Sequence, residues 1–254
     1  MRRLIEAIDQ IVRAHSIRLI SVDVFDTLLL RATRPELARF ADVAADQATA
    51  LAAVGMPVDP VAIYAARLVA ARTAYRCVGA VQGEREGRHG DILSMVAAAL
   101  RLDPSAVPVL AAAELDHETK VMVGNRALAE ALMRHRAEGR RVVFASDMYL
   151  PATAIHDLIA RLLPSLVLDG GYSSADHGVT KRGGGLFQVM MRAEDVAANE
   201  VLHFGDSLLA DVETPRRAGI HAIHVPRPRV WRGIHGVRHR VALLRHRAMM
   251  RRPA

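Results

Sequence analysis

Two aspartates three positions apart, Asp23 and Asp26, stand where the apolar run of "LISVDVFDTLLLR" gives out. Taking a carboxylate out of water is costly unless it has a partner or a chemical role. Three other segments offer groups of matching chemistry: Ser146 in "VVFASDMYLP", Lys181 in "SSADHGVTKRGGGLF", and Asp206 with Asp211 in "LHFGDSLLAD". A carboxylate can attack phosphorus and form an aspartyl phosphate. A hard divalent cation such as Mg²⁺, held by carboxylate oxygens, relieves the repulsion between that anion and a phosphate. Hydroxyl and ammonium donors stabilise charge on the equatorial oxygens. The set suits phosphoryl transfer.

The elements around these residues follow from the apolar pattern. Ile17 to Val22 reads as a buried strand ending at Asp23, and "RPELARFADVAADQATALAA" opens about a hundred residues of helical pattern. In "DPVAIYAARLVAARTAY", Asp59 is placed to cap a helix with Pro60 in its first turn, and Val61, Tyr64, Ala65, Leu68, Ala71 and Tyr75 share one face. Beyond residue 125 single helices alternate with the apolar strands "RRVVFAS", "LVLDGGYSS", "EVLHFGD" and "IHAIHVP". Such alternation implies right-handed crossovers and a parallel sheet, which binds ligands beyond the carboxyl ends of its strands. Those ends carry Asp23, Ser146, Asp206 and Asp211, with Lys181 in an adjoining loop.

In this order the segments "DVFDT", "FASD", Lys181 and "GDSLLAD" resemble the four motifs of the haloacid dehalogenase-like (HAD) hydrolases, over a stretch from Leu19 to Val225. The resemblance implies an α/β fold: a Rossmann-like parallel sheet core, residues 1–32 and 125–226, with an inserted all-helical C1 cap, 33–124. Residues 227–254 form a basic amphipathic tail. It implies Asp23 as nucleophile, Ser146 and Lys181 as phosphate-binding groups, and Mg²⁺ on Asp23, Asp206 and the carbonyl of Phe25. Asp211 joins that metal group, supporting the metal's water or Lys181. The expected activity is Mg²⁺-dependent hydrolysis of a small phosphorylated metabolite, with sugar phosphates indicated by analogy alone.

One position departs from the pattern. Phosphatases of the family usually carry a second aspartate two residues after the nucleophile, as general acid and base; here that residue is Phe25, and the acid follows as Asp26. Losing an acid–base group typically forfeits ~10²–10⁴ in rate. Asp26 reaches the leaving oxygen from a shifted turn, or the substrate needs no proton on its leaving group, or turnover is slow. Dehalogenases of the superfamily have an aromatic residue at that place and need no metal, so a metal-independent dehalogenase-type hydrolase is the alternative enzyme. The Asp206 and Asp211 pair argues against it. A weakly catalytic phosphate-binding protein of this fold is the alternative from another class.

Several features have plainer readings. Asp147 suits a helix cap, His203, His221 and His224 suit satisfied core or edge positions rather than zinc, and Gly183 to Gly185 lack a P-loop pattern. Arg67, Arg72 and Arg76 are placed to meet an anionic substrate, but solvated helix-face charges are the commoner reading. Lys181 is one of only two lysines, beside Lys120, in a chain of 34 basic residues where a flexible point charge has been kept. The net charge of +7 hides an asymmetry: residues 227–254 hold nine arginines and no acid, and seven less nine leaves the rest at −2. The stripe Val237, Val241, Leu244 and Ala248 in that tail is open to packing on its own domain, a protein partner or a membrane surface, and nothing else favours nucleic acid. A single cysteine, Cys77, precludes an internal disulfide and points to a cytoplasmic protein.

Overall fold

Every residue of the strand Leu19–Val22 (β1) is buried, which requires that both faces of its sheet be covered. A computed structural model describes residues 1–249 and shows how this is done; residues 250–254 of the basic tail lie outside the described residues. Helix α1 (Arg2–Ala14) precedes β1, and β2 (Leu29–Arg31) follows. Then come α2 (Glu36–Ala53), α3 (Pro60–Cys77), α4 (His89–Ala99), α5 (Ala106–Val121) and β3 (Met122–Gly124). The alternating part runs α6 (Arg126–Ala137), β4 (Arg141–Ser146), α7 (Ala152–Leu162), β5 (Gly170–Ser173), α8 (Ser174–His177), α9 (Gly185–Glu194), β6 (Val201–Gly205), α10 (Thr214–Arg217) and β7 (His221–His224). Helix α11 (Arg229–Met249) closes the described chain.

The main sheet has the order β5-β4-β1-β6-β7, and its four pairings are parallel. β1 is central, with Val22 opposite Phe144 on one side and Phe204 on the other. One face packs Leu19, Val143, Ala145 and Val201 against Leu186, Phe187 and Met190 of α9. Burying each of these Leu, Val, Phe and Met side chains contributes roughly 1.5–3 kcal/mol. Helix α6 starts at Asn125, whose side chain accepts from Leu128 N at 3.4 Å, while its Nδ2 donates to Thr27 O at 3.0 Å.

The strand expected over "LVLDGGYSS" is regular only from Gly170; just before it Asp169 N donates to Val142 O at 2.7 Å, while its carboxylate binds Arg136 and accepts from Val142 N at 2.9 Å. In place of one helix after Asp206 there is a π-helical turn, Leu208–Glu213, running into α10.

The chain divides into two compact units. The first contains Met1–Leu30, Gly79–Glu86 and Met122–Arg227; the second contains Arg31–Val78, Gly87–Val121 and the residues from Pro228. The second unit is built from α2 to α5, with α11 on α2. Asp59 caps α3 as expected, accepting from Val61 N at 3.1 Å. The buried face of α3 is not the one expected: Ile63, Tyr64, Arg67, Ala70 and Ala74 point inward, and Val61 and Tyr75 are exposed. The reason is ionic. Arg67 is buried and donates to Glu114 Oε1 at 2.9 Å, while His89 meets Oε2 of the same carboxylate at 2.9 Å. A charge that reads as solvated is a core cation with a buried partner.

Candidate active site

Asp23 continues directly from the central strand, and its N–H donates to Phe204 O of β6 at 2.9 Å. Asp206 follows the last residue of β6, and Ser146 is the last residue of β4. Three chain segments thus deliver polar groups to one sheet edge because three parallel strands end there. Ser146 is buried opposite Ser173 of β5.

Lys181 reaches the same edge from the loop after α8. Its Nζ donates to Asp23 Oδ1 and to Asp211 Oδ1, each at 2.6 Å, and the side chain is 2% exposed. Asp147 anchors that loop by accepting from Lys181 N at 2.6 Å and Arg182 N at 3.2 Å. Glu84 holds its other side, accepting from Thr180 N at 2.8 Å and from the Thr180 hydroxyl. Glu84 belongs to Gly79–Glu86, which the chain places in the sheet-bearing unit although helices precede and follow it.

The π-helical turn brings Asp211 back to the strand ends. Ser207 N donates to Asp211 Oδ2 at 2.8 Å, and Asp211 N donates to Ser207 O at 2.8 Å. His203 of β6 meets Asp211 Oδ1 at 3.1 Å through Nε2, and its Nδ1 meets the hydroxyl of Ser21 at 2.9 Å, the residue opposite it in β1. Both oxygens of Asp211 are therefore engaged. Gly205 makes the approach feasible: a Cβ there would lie 2.4 Å from Asp211 Cγ and 2.6 Å from Asp23 Cβ.

Asp26 lies on the Asp206 side of the site. Its backbone is left-handed, with φ 67°, and its Oδ2 accepts from Arg227 Nη2 at 2.6 Å. The same guanidinium donates through Nε to Asp206 Oδ2 at 2.6 Å. Arg227, three residues beyond β7, was not singled out by sequence reasoning. Its only signal is its place just past a strand end, the same signal that marks Asp147 beside Ser146.

Carboxylate oxygens of Asp23, Asp206 and Asp211 lie within 4.8 Å of one another. Burial pushes the Asp23 carboxyl up to about 7, with Lys181 opposing and Asp211 and Asp206 adding to the rise. Burial also raises Asp206, against the pull of Arg227. Burial acts on Asp211 in the same sense, but Lys181 and His203 outweigh it and hold this carboxyl well below the usual range. Burial alone would lower Lys181; Asp23, Asp211 and Asp147 reverse that and keep it an ammonium. Burial lowers His203, so the ring stays neutral.

The residues fit a divalent cation. Asp23 Oδ2 is buried and no described residue hydrogen-bonds to it. Asp206 has one oxygen on Arg227, and five carboxyl groups, those of Asp23, Asp26, Asp147, Asp206 and Asp211, gather against Lys181 and Arg227. Carboxyl groups that outnumber the cations around a buried, unengaged acceptor suit a hard cation.

The fold of the chain recurs in solved structures. A 2-haloacid dehalogenase from Pseudomonas syringae matches with TM-score 0.54 at 18% identity, over 82% of this chain and 86% of that one. The fold is haloacid dehalogenase-like. A defluorinating L-2-haloacid dehalogenase matches this HAD-like fold with TM-score 0.54 at 16% identity, over 84% of this chain and 82% of that one. No protein-family model and no curated protein sequence matches the chain. At such identities the likeness establishes the HAD-like fold alone.

Proposed function

We propose that the protein is a Mg²⁺-dependent phosphomonoesterase acting through an aspartyl phosphate on Asp23. Two observations carry this reading: Asp23 Oδ2 is buried and unengaged, and carboxylate oxygens of Asp23, Asp206 and Asp211 lie within 4.8 Å of one another. With its carboxyl raised to about 7, Asp23 is largely protonated below neutral pH in the metal-free chain and a poor nucleophile. A phosphate dianion approaching these carboxylates would also be repelled. Asp23, Asp206 and the Phe25 carbonyl would hold Mg²⁺, which supplies the neutralising charge.

The chain's own residues divide the remaining work. Lys181 orients Asp23 through Oδ1, and the Asp23 carboxylate forms the bond to phosphorus as the ester P–O bond breaks. Lys181 and the Ser146 hydroxyl hold phosphoryl oxygens as charge builds on them. Asp211 holds Lys181, and His203 holds Asp211, rather than the substrate. The leaving oxygen takes a proton from Asp26 or from water. Water then adds to phosphorus, the bond to Asp23 breaks, and phosphate departs.

Dehalogenase-type hydrolysis is the second reading, and Phe25 favours it together with the engagement of Asp26 by Arg227. The carboxylate excess weighs against it, because a 2-haloacid is also an anion. One assay separates the two: phosphate release from a panel of small phosphomonoesters with and without Mg²⁺, beside halide release from 2-chloropropionate without metal. Metal-dependent phosphate release that Asp23→Asn abolishes supports the first reading. Metal-free halide release with no phosphate release sinks it.

A further inference from the structure

Helix α11 carries an apolar line that its own unit does not cover. Val230, Ile234, Val237, Val241 and Leu244 are spaced four, three, four and three apart, which places them along one side of a helix. All five are exposed, Val230 at 73%, Val237 at 60% and Leu244 at 65%. The helix rests on α2 by a different side. There Ala242 is buried, Trp231 Nε1 donates to Arg31 O at 3.1 Å and His246 Nδ1 meets the Tyr64 hydroxyl at 3.0 Å. At about 100° per residue, Arg238 and Arg245 border the apolar line on one side, and Arg240 and Arg247 border it on the other. These four arginines are exposed, and the helix has no acidic residue.

We propose that α11 is an in-plane docking surface for an anionic lipid bilayer, its Val, Ile and Leu line entering the headgroup boundary and its arginines meeting lipid phosphates. The two-sided border is what selects a bilayer. A flat anionic surface satisfies cations on both flanks of a narrow apolar line at once, and arginine stems reach along apolar surface while their guanidinium groups stay at headgroup level. A second copy of this chain would set arginine against arginine, which opposes self-pairing. Nucleic acid would use the cations but offers nothing to an aliphatic line of this kind. A groove of about 360 Å³ beside the line, lined by Pro35, Ala38, Val237, Val241, Arg34 and Arg245, joins the same apolar and basic chemistry.

The test uses the full chain and sedimentation with vesicles of phosphatidylcholine, alone or mixed with phosphatidylglycerol. Binding is expected only to the mixed vesicles and falls as salt rises. Val237→Glu with Val241→Glu should weaken it at least tenfold, as should Arg240→Glu with Arg247→Glu. All four positions are exposed, so both variants should keep the wild-type circular dichroism. Failure to sediment with the mixed vesicles overturns the proposal. So does binding unaffected by the valine pair, which would leave a charge contact alone. A wild-type dimer in light scattering that the valine pair dissolves would assign the line to a second copy, and RNA binding that only the arginine pair abolishes would assign the cations to nucleic acid; either result also overturns it.

Discussion

Arg227 Nε lies 2.6 Å from Asp206 Oδ2, and this contact sets the orientation of the carboxylate at the end of β6. The second limb of the same guanidinium is on Asp26. Groups that orient a metal-binding carboxylate typically contribute 10–100-fold in affinity or activity. Arg227→Ala should therefore raise the Mg²⁺ concentration needed for half-maximal phosphate release by about 10–100-fold. Arg227→Lys, which cannot fork between two carboxylates, should restore little of it. An unchanged Mg²⁺ titration in Arg227→Ala would show that Asp206 is held by other means.

Lys181 is the buried cation between two carboxylates. Removing one partner of a buried ion pair typically destabilises by ~3–5 kcal/mol because the charges left behind remain buried. Lys181→Met should lose about that much in urea unfolding and abolish activity. Lys181→Met with Asp211→Asn should recover part of the stability and none of the activity. If the double variant is as unstable as the single one, Asp211 is not the charge left exposed.

Asp23 links stability to pH. Its folded-state value, about 7, lies above the ordinary 3.8, so its contribution is fully present below about pH 4 and lost as pH rises through 7. Metal-free protein should melt at a lower temperature at pH 8 than at pH 5.5 on this account. The Mg²⁺ proposed for this site would compete with the proton for Asp23, so the melting-temperature gain from Mg²⁺ should grow between pH 6 and 8. Asp23→Asn should flatten both trends, and a Mg²⁺ gain independent of pH would place the ion elsewhere.

Gly205 has no room for a side chain. A methyl group at that place would meet Asp211 and Asp23 at 2.4 and 2.6 Å. Gly205→Ala should cost roughly 1–3 kcal/mol through overpacking and remove activity by parting the two carboxylates. Full activity in this variant would mean that the site tolerates a wider separation.

The helical unit has its own ionic core. Glu114→Ala would leave Arg67 and His89 buried without that carboxylate. A loss of ~3–5 kcal/mol is expected in urea unfolding. Arg72→Ala, on the same helix outside that pair, should change stability by less than about 0.5 kcal/mol. Equal effects of the two substitutions would deny Glu114 its buried role.

From the sequence by itself came the alternation of strand and helix after residue 125, the parallel sheet and the line of polar residues at its edge. These are local: apolar runs four to six residues long, a capping Asp59 and the chemistry of Asp23, Ser146, Lys181 and Asp206 are visible in chain order. What depended on tertiary structure was every pairing across the chain. Lys181 meets Asp23 over 158 positions, Arg227 meets Asp26 over 201, and His203 reaches Ser21 over 182. Arginine and histidine carry the same letter whether solvated or buried, so Arg67 and Arg227 could not be sorted until a partner stood opposite each. The face of a helix that turns inward is likewise decided by the surface it meets, as the displaced face of α3 and the uncovered line on α11 both show.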